Sequence, residues 1–368
     1  MTVESPTPVD RQYMRRALEL AERGWGRVHP NPLVGAVVVR DGEVVGEGFH
    51  GEYGGPHAEV VALAAAGERA RGGTLYVTLE PCAHHGKTPP CTEAVLAAGI
   101  ARVVYGAEDP NPVARGGAAR LAARGVEVVG GIEREAVRVQ NAAFFHAVER
   151  RTTFVALKYA LSLDARLSEE PDRPTGVTGQ AARAEVHRLR AGFDGIMVGI
   201  GTALADDPLL TVRGDVQPRR PPVRLVVDTE ARLPPGSRLA STTREVPVWL
   251  FCAEDSPSER RAALEQAGVR VLPVPRGSSG LRLDAVLERL WAEDVRSVLC
   301  EGGGRLGASL LAQDRVQRLF LFYAPRLFGE PGPPAFPGTF PADVARGWEL
   351  RRVSDIGGDA LLLLDRIP

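Results

Sequence analysis

The sequence predicts two α/β domains in series, on three observations. Short apolar, β-branched runs alternate with helix-length amphipathic stretches along the whole chain. The pattern restarts once, at Arg150-Arg151-Thr152-Thr153, where a long helical stretch gives way to a new strand. The 368 residues also exceed the roughly 100–200 that one domain usually organises. The predicted boundary gives domains 1–150 and 151–368.

In the first domain, residues 10–21 read as an amphipathic helix with Asp10 as N-cap and Met14, Leu18 and Ala21 on one face. Residues 33–40 and 43–46 form a hairpin about the turn dipeptide Asp41-Gly42. His57 opens a helix reaching Ala66. A strand at 74–79 runs into a loop carrying Cys82 and Cys91, and a helix follows Thr92. Strands at 102–106 and 126–129 flank a helix at 114–124, and one long helical pattern, 133–150, closes the domain.

The second domain alternates in the same way. It has strands at 154–162, 195–198, 223–228, 246–251 and 295–300, and helices at 180–191, 258–267 and 283–293. Residues 232–244 and 325–341 are rich in Pro and Gly and read as loops. Glu301-Gly302-Gly303-Gly304-Arg305-Leu306-Gly307 follows a strand and opens a helix, so its backbone N–H groups suit a phosphate. The spacing satisfies G-x-G-x-x-G, but a glycine-rich helix entry explains it equally well without an acidic residue about 20 positions on.

The chemistry concentrates in Gly55-Pro56-His57-Ala58-Glu59 and in the loop from Glu80-Pro81-Cys82 to Cys91. Two thiolates and a neutral imidazole hold zinc with near-zero net charge and leave the fourth tetrahedral position for a water, whose pKa falls to roughly 7. Zinc deaminases combine H-x-E with P-C-x-x-C, the Glu moving protons rather than binding metal. His57, Glu59, Pro81 and Cys82 fit, but eight residues rather than two separate Cys82 from Cys91. Both clusters lie at helix N-termini, where the dipole favours thiolate over thiol. Residues i and i+2 do not share a helix face, so His57 and Glu59 meet one metal only if the first turn is irregular or Glu59 curls round. A closed structural zinc site would need a fourth ligand from His84 or His85.

Composition adds an independent pointer. Among 45 Lys plus Arg residues only Lys87 and Lys158 are lysine, and asparagine occurs only at Asn31, Asn111 and Asn141. A chain that otherwise avoids both residues keeps Lys87 inside the thiol loop and two Asn in Pro-Asn-Pro words. An ammonium is a compact point charge that the planar Arg fork does not replace at a tight site. Cys252 and Cys300 lie in apolar runs and read as small buried hydrophobes.

His29-Pro30-Asn31-Pro32-Leu33-Val34-Gly35, His57-Ala58-Glu59, the full 82–91 loop and Asp109-Pro110-Asn111-Pro112 together resemble the bifunctional riboflavin-biosynthesis deaminase/reductase family. Lys158-Tyr159-Ala160-Leu161-Ser162-Leu163-Asp164, Gly199-Ile200-Gly201-Thr202 through Asp206-Asp207-Pro208, Leu210-Thr211-Val212-Arg213 and Glu301-Gly302-Gly303 look like its reductase motifs. The resemblance implies a cytidine-deaminase-like three-layer α/β/α domain followed by a dihydrofolate-reductase-like α/β domain.

It also implies Zn2+ on His57, Cys82 and Cys91, with Glu59 as the catalytic proton carrier. Asn31, His50, His84, Lys87, Asp109 and Asn111 would line the pyrimidine pocket. Ala160, Thr202, Asp206, Thr229 and the turn Gly303, Gly304, Arg305, Leu306, Gly307, Ala308 and Ser309 would bind NADP(H). Lys158, Arg190, Leu210, Arg213 and Glu301 would hold the ribose-phosphate substrate, the two arginines as a bidentate clamp. The chain departs from the family's Ser-x-Trp-Ile-Thr segment, reading Pro174-Thr175-Gly176-Val177-Thr178 and so lacking a hydroxyl and an indole.

The resemblance implies zinc-dependent hydrolytic deamination of a diaminopyrimidinone ribosylamine 5′-phosphate, then NADPH-dependent reduction of its ribosyl group. A formal net charge of −1 offers no footprint for nucleic acid, which disfavours an RNA deaminase. A C-terminal half serving only as a nucleotide-binding or assembly module is the nearer alternative. With no signal peptide and no apolar run approaching the ~18 residues of a membrane span, a cytoplasmic protein is expected. The expected partner is its small-molecule substrate, in a homo-oligomer.

Overall fold

A computed structural model describes residues 7–84, 89–171, 173, 175–277 and 280–367. The chain forms two compact units, Met1–Arg151 and Thr152–Pro368, taken here one at a time.

The first unit is a five-stranded sheet of order β2-β1-β3-β4-β5. Strands β1 (Gly35–Arg40) and β2 (Glu43–Phe49) form the expected hairpin, turned by Asp41 and Gly42 at φ 52° and 83°. Strand β3 (Thr74–Leu79) pairs antiparallel with β1, while β4 (Arg102–Ala107) and β5 (Glu127–Gly130) continue parallel to β3.

Strand alternation sends side chains to two covered faces. Ala36, Val38, Leu75 and Val77 pack with α2 (Ala58–Ala66) and α3 (Cys91–Ala97), whereas Val37, Val39 and Tyr76 pack with Met14, Ala17 and Leu20 of α1 (Pro8–Ala21). Helix α4 (Gly117–Ala122) adds Leu121 to the first face. The result is a three-layer α/β/α unit, the layering that the resemblance implies.

Two local expectations need correction. Asp10 is not the N-cap of α1. Thr7 is, its hydroxyl oxygen accepting the Asp10 N–H, and Asp10 at N3 closes a capping box through the Thr7 N–H. The same carboxylate also takes Arg102 at 2.7 Å and the Tyr76 hydroxyl at 3.0 Å, which holds it far below the ordinary carboxylate range against the opposing effect of burial.

The pattern at 133–150 is not one helix but two, α5 (Arg134–Gln140) and α6 (Ala142–Arg150), interrupted at Asn141 with φ −107° and ψ 25°. Periodicity hides the break because apolar residues continue through it. The buried Asn141 amide accepts the Leu33 N–H at 2.7 Å and donates to the Leu33 carbonyl at 3.1 Å, fixing the stretch that carries Asn31.

The second unit is built on a nine-stranded sheet of order β10-β9-β8-β7-β13-β6-β14-β16-β15. Its strands are β6 (Phe154–Leu161), β7 (Gly195–Gly199), β8 (Val223–Val227), β9 (Val248–Ala253), β10 (Arg270–Val274), β13 (Ser297–Cys300), β14 (Arg318–Tyr323), β15 (Trp348–Ile356) and β16 (Asp359–Arg366). A two-stranded ribbon, β11 (Arg276–Gly277) and β12 (Gly280–Leu281), stands apart. Along the sheet β10, β9, β8, β7, β13, β6 and β14 run parallel, and the C-terminal hairpin β15–β16 joins antiparallel.

Helices α7 (Gln180–Ala191), α8 (Ile200–Asp206), α9 (Arg238–Ser241), α10 (Ser258–Gln266), α11 (Leu283–Ala292), α12 (Gly304–Ala312) and α13 (Ala342–Arg346) complete the unit, α9 lying inside the stretch expected to be loop. Cys252 and Cys300 are fully buried and unpaired, as expected. Gly307 packs so closely on Tyr159 that a Cβ would stand 1.9 Å from the phenol oxygen. No helix among the described residues is long and apolar enough to cross a membrane.

Asn141→Ala strands both main-chain groups of Leu33 and is expected to cost about 2–3 kcal/mol, read as a lower urea midpoint for the first unit.

Candidate active sites

Helix geometry brings the three expected metal ligands together. His57 is the N-cap of α2, in extended backbone (φ −73°, ψ 157°), so its side chain is free of the helical lattice that Glu59, the second helical residue, obeys. This resolves the i, i+2 conflict. Cys82 leaves the end of β3 and Cys91 is the first residue of α3. The Cys91 N–H points at Cys82 Sγ at 3.3 Å, and His57 Nδ1 lies 3.1 Å from Cys91 Sγ and 3.7 Å from Cys82 Sγ.

The three donor atoms fall within 4.8 Å of one another, a set of one imidazole and two thiols that fits zinc with three protein ligands. His84 is not in the cluster, and His85 and Lys87 lie outside the described residues. The contact between the two thiols holds Cys82 below the ordinary thiol range and pushes Cys91 above it.

A cavity of about 290 Å³ opens beside the cluster, lined by Asn31, His50, His57, Glu59, Cys82, His84, Asp109 and Asn111. Glu59 is 4% exposed, and burial pushes its carboxyl above the ordinary range while His57 pulls it back. His50 Nδ1 donates to the Pro56 carbonyl at 3.0 Å, so Nε2 is the acceptor for the Asn31 amide at 3.1 Å. Burial pushes the His50 imidazole down, keeping it neutral in that role.

Asp109 accepts the Asn111 N–H at 2.8 Å and Asn111 accepts that of Val113 at 3.1 Å, two successive Asx turns that explain the Asp-Pro-Asn-Pro word. Burial pushes the Asp109 carboxyl up to about 6.

Tyr53, Glu80, Ala114 and Phe144 also line the cavity and were missed in the sequence. Glu80 had a signal, since it opens the word Glu80-Pro81-Cys82. Its Oε1 accepts the N–H groups of Gly116 and Ala118, both at 3.1 Å, tying the start of α4 to the end of β3. Phe144 had none, being hidden in the helical pattern.

In the second unit a charged cluster gathers at the C-terminal ends of the parallel strands. Pairing of Cys300 with Leu157 sets Glu301 beside Lys158, their charged atoms 3.7 Å apart. Arg190 of α7 reaches both Glu301 oxygens, at 2.5 and 3.0 Å, and donates to the Thr211 carbonyl at 2.9 Å. Its fork is therefore engaged by Glu301 rather than held open as a phosphate clamp with Arg213. Burial pushes the Glu301 carboxyl up, but Arg190 and Lys158 outweigh it and hold it at about 2. Burial pushes the Lys158 ammonium down, with Glu301 opposing. Leu210 is buried with φ 51°, and Arg213 donates its N–H to His187 Nδ1 at 3.2 Å.

The residues expected around NADP separate by environment. Thr202 lies against Gly302 and Gly303, where an added Cβ would stand 3.0 Å from its hydroxyl. Gly303 is the N-cap of α12. Ala160 is half-buried on the Lys158 face of β6, Asp206 ends α8, and Thr229 follows β8. Within α12, Arg305 is exposed and Ser309 half-buried, whereas Leu306, Gly307 and Ala308 are buried. Pro174 lies outside the described residues. Gly176 is exposed and its carbonyl accepts from Arg326 at 3.3 Å.

Comparison with known proteins fits both units. Residues 7–107 match the family model of the cytidine and deoxycytidylate deaminase zinc-binding region, and residues 153–362 match the RibD C-terminal domain. The riboflavin biosynthesis protein RibD of Aquifex aeolicus is 39% identical, covering 88% of each chain. This chain belongs to the RibD family.

Solved RibD structures agree over nearly the whole length. That of Acinetobacter baumannii superposes with a TM-score of 0.81 at 35% identity, covering 98% of this chain and 99% of its own. A diaminohydroxyphosphoribosylaminopyrimidine deaminase/5-amino-6-(5-phosphoribosylamino)uracil reductase from Thermotoga maritima gives 0.80 at 35%, covering 97% and 99%. The second unit has the dihydrofolate-reductase-like fold of the RibD C-terminal domain.

Metal content tests the first site apart from turnover. Purified protein is expected to carry one zinc per chain by plasma mass spectrometry. Cys91→Ser and His57→Ala should lose zinc affinity by about tenfold or more, and Glu59→Gln should keep it.

Proposed function

We propose that the chain is a bifunctional enzyme of riboflavin biosynthesis. It hydrolytically deaminates 2,5-diamino-6-(5-phosphoribosylamino)pyrimidin-4-one, then reduces the ribosyl group of the product to ribityl with NADPH. The observation that carries this reading is the convergence of His57, Cys82 and Cys91 within 4.8 Å on a cavity lined by Glu59, in a chain whose other half is a RibD C-terminal domain.

In the first site, zinc held by His57, Cys82 and Cys91 supplies a Lewis acid that brings a water toward neutrality in pKa. Glu59 takes the water's proton and passes it to the ring nitrogen and then to the departing ammonia. A buried carboxyl with a raised pKa is suited to both directions of that transfer. His50 orients Asn31, and Asp109 and Asn111 offer polar edges to the pyrimidine. His84 lines the same cavity, and Lys87 belongs to the proposed pocket on the strength of the resemblance alone.

In the second site, bound NADPH supplies the hydride and the protein orients both partners. Thr202 and the Gly303 turn at the α12 N-terminus face the cofactor, with Ala160, Asp206 and Thr229. Lys158, Leu210, Arg213 and Glu301 face the ribose phosphate, with Arg190 holding the Glu301 carboxylate in place. Removing one member of the Lys158–Glu301–Arg190 group leaves a buried charge unpaired, so it acts as a unit. A cytosolic setting belongs to the same reading, supported by four unpaired cysteines, as does a homo-oligomeric state.

Ammonia release and NADPH oxidation, followed separately, test both halves. Glu59→Gln is expected to lower ammonia release by about 10²–10⁴-fold while NADPH oxidation on the deaminated substrate is unchanged. Glu301→Gln should do the reverse. Loss of both activities in either variant, or of neither, contradicts the assignment.

A further inference from the structure

The segment 209–213 carries Leu210 and Arg213, which the proposed function sets against the ribose phosphate, and it has no helix or strand of its own. Its backbone is nevertheless held at three points. The buried Arg224 donates to the Leu209 carbonyl at 3.2 Å. Arg190 donates to the Thr211 carbonyl at 2.9 Å, and the Arg213 N–H donates to His187 Nδ1 at 3.2 Å. His187 and Arg190 are three residues apart on α7, so one helix face offers this segment an acceptor and a donor together.

We infer that His187 is a positioning residue of the reductase site: by accepting the Arg213 N–H it docks Arg213 beside the Arg190–Glu301 pair, where the phosphate of the substrate is bound. This rests on the functional reading above and adds a residue and a dependence on pH to it.

The chemistry of the ring sets the conditions. A nitrogen that accepts an amide N–H carries no proton, so the neutral imidazole must hold its proton on Nε2. Protonating Nδ1 sets two donors face to face and breaks the docking bond. Burial, Arg190 on the same helix and Arg213 on the segment disfavour the charged ring. Glu301, after β13, and the Thr211 carbonyl favour it, and the first set prevails. The docking bond is therefore intact above the ordinary histidine range and is lost as pH falls below it.

The test is steady-state NADPH oxidation with the deaminated ribosylamino-phosphate substrate, comparing wild type with His187→Gln and His187→Leu. Glutamine Oε1 can accept the Arg213 N–H and does not titrate, whereas leucine cannot accept. His187→Leu is expected to raise KM about tenfold at pH 7.5 with kcat within about twofold, the size of one lost positioning hydrogen bond. As pH falls from 7.5 through and below the ordinary histidine range, the KM of wild type should rise more than that of His187→Gln, the conservative variant. Titration of the substrate phosphate is common to both proteins and cancels in that ratio.

Parallel pH profiles for wild type and His187→Gln overturn the inference even if the leucine variant does not fold. An unchanged KM in a folded leucine variant, one that keeps its NADPH affinity, overturns it as well. Wild-type protein that oxidises no NADPH on this substrate refutes the functional reading itself, and the inference with it.

Discussion

Both units depend on one constraint: in a parallel sheet every strand must end beside the start of a helix. There the chain has free N–H groups and a partial positive charge, in a place where side chains from several strands converge. In the first unit Cys82 leaves β3, Asp109 leaves β4, and His57 and Cys91 stand at the entries to α2 and α3. In the second, β13 returns to insert between β6 and β7, and this late insertion is what sets Glu301 beside Lys158. The glycines after Glu301 then lead directly into α12. The covalent distance between ligands matters little once their strands are neighbours.

The two sites handle buried charge in opposite ways. Glu59 is buried with too little compensation, so its carboxyl rises in pKa, which suits a group that must gain and lose a proton. The Glu301 side chain is 7% exposed but has Arg190 and Lys158 against it, so it stays ionised. Desolvation is the largest influence on each, and the neighbours decide which side prevails. One residue type thus acquires a raised pKa in one unit and a lowered pKa in the other.

Much of this was legible in the sequence where chemistry demands a particular residue at a particular spacing. The fold brings His57 together with the paired thiols and turns the hairpin at Asp41-Gly42, as residue type and spacing suggest. The scarcity of Asn pointed to Asn31 and Asn111, whose contacts lie in the cavity. It also applied to Asn141, whose task is to bridge Leu33, and periodicity could not reveal the helix break it marks. Arg190 illustrates the opposite limit: the resemblance implied a phosphate clamp with Arg213, and only the fold supplied Glu301 as its partner. His187 was invisible for the same reason, since its partner is a main-chain N–H group brought close by tertiary structure.

The central claim is that each unit carries its own complete chemistry, with metal serving only the first. The most direct measurement is zinc add-back to chelator-stripped protein, with ammonia release and NADPH oxidation on the deaminated substrate recorded at each step. The account predicts that ammonia release returns in proportion to zinc and saturates at one per chain, while NADPH oxidation stays constant throughout. Ammonia release from zinc-free protein, or NADPH oxidation that rises and falls with zinc, would contradict it.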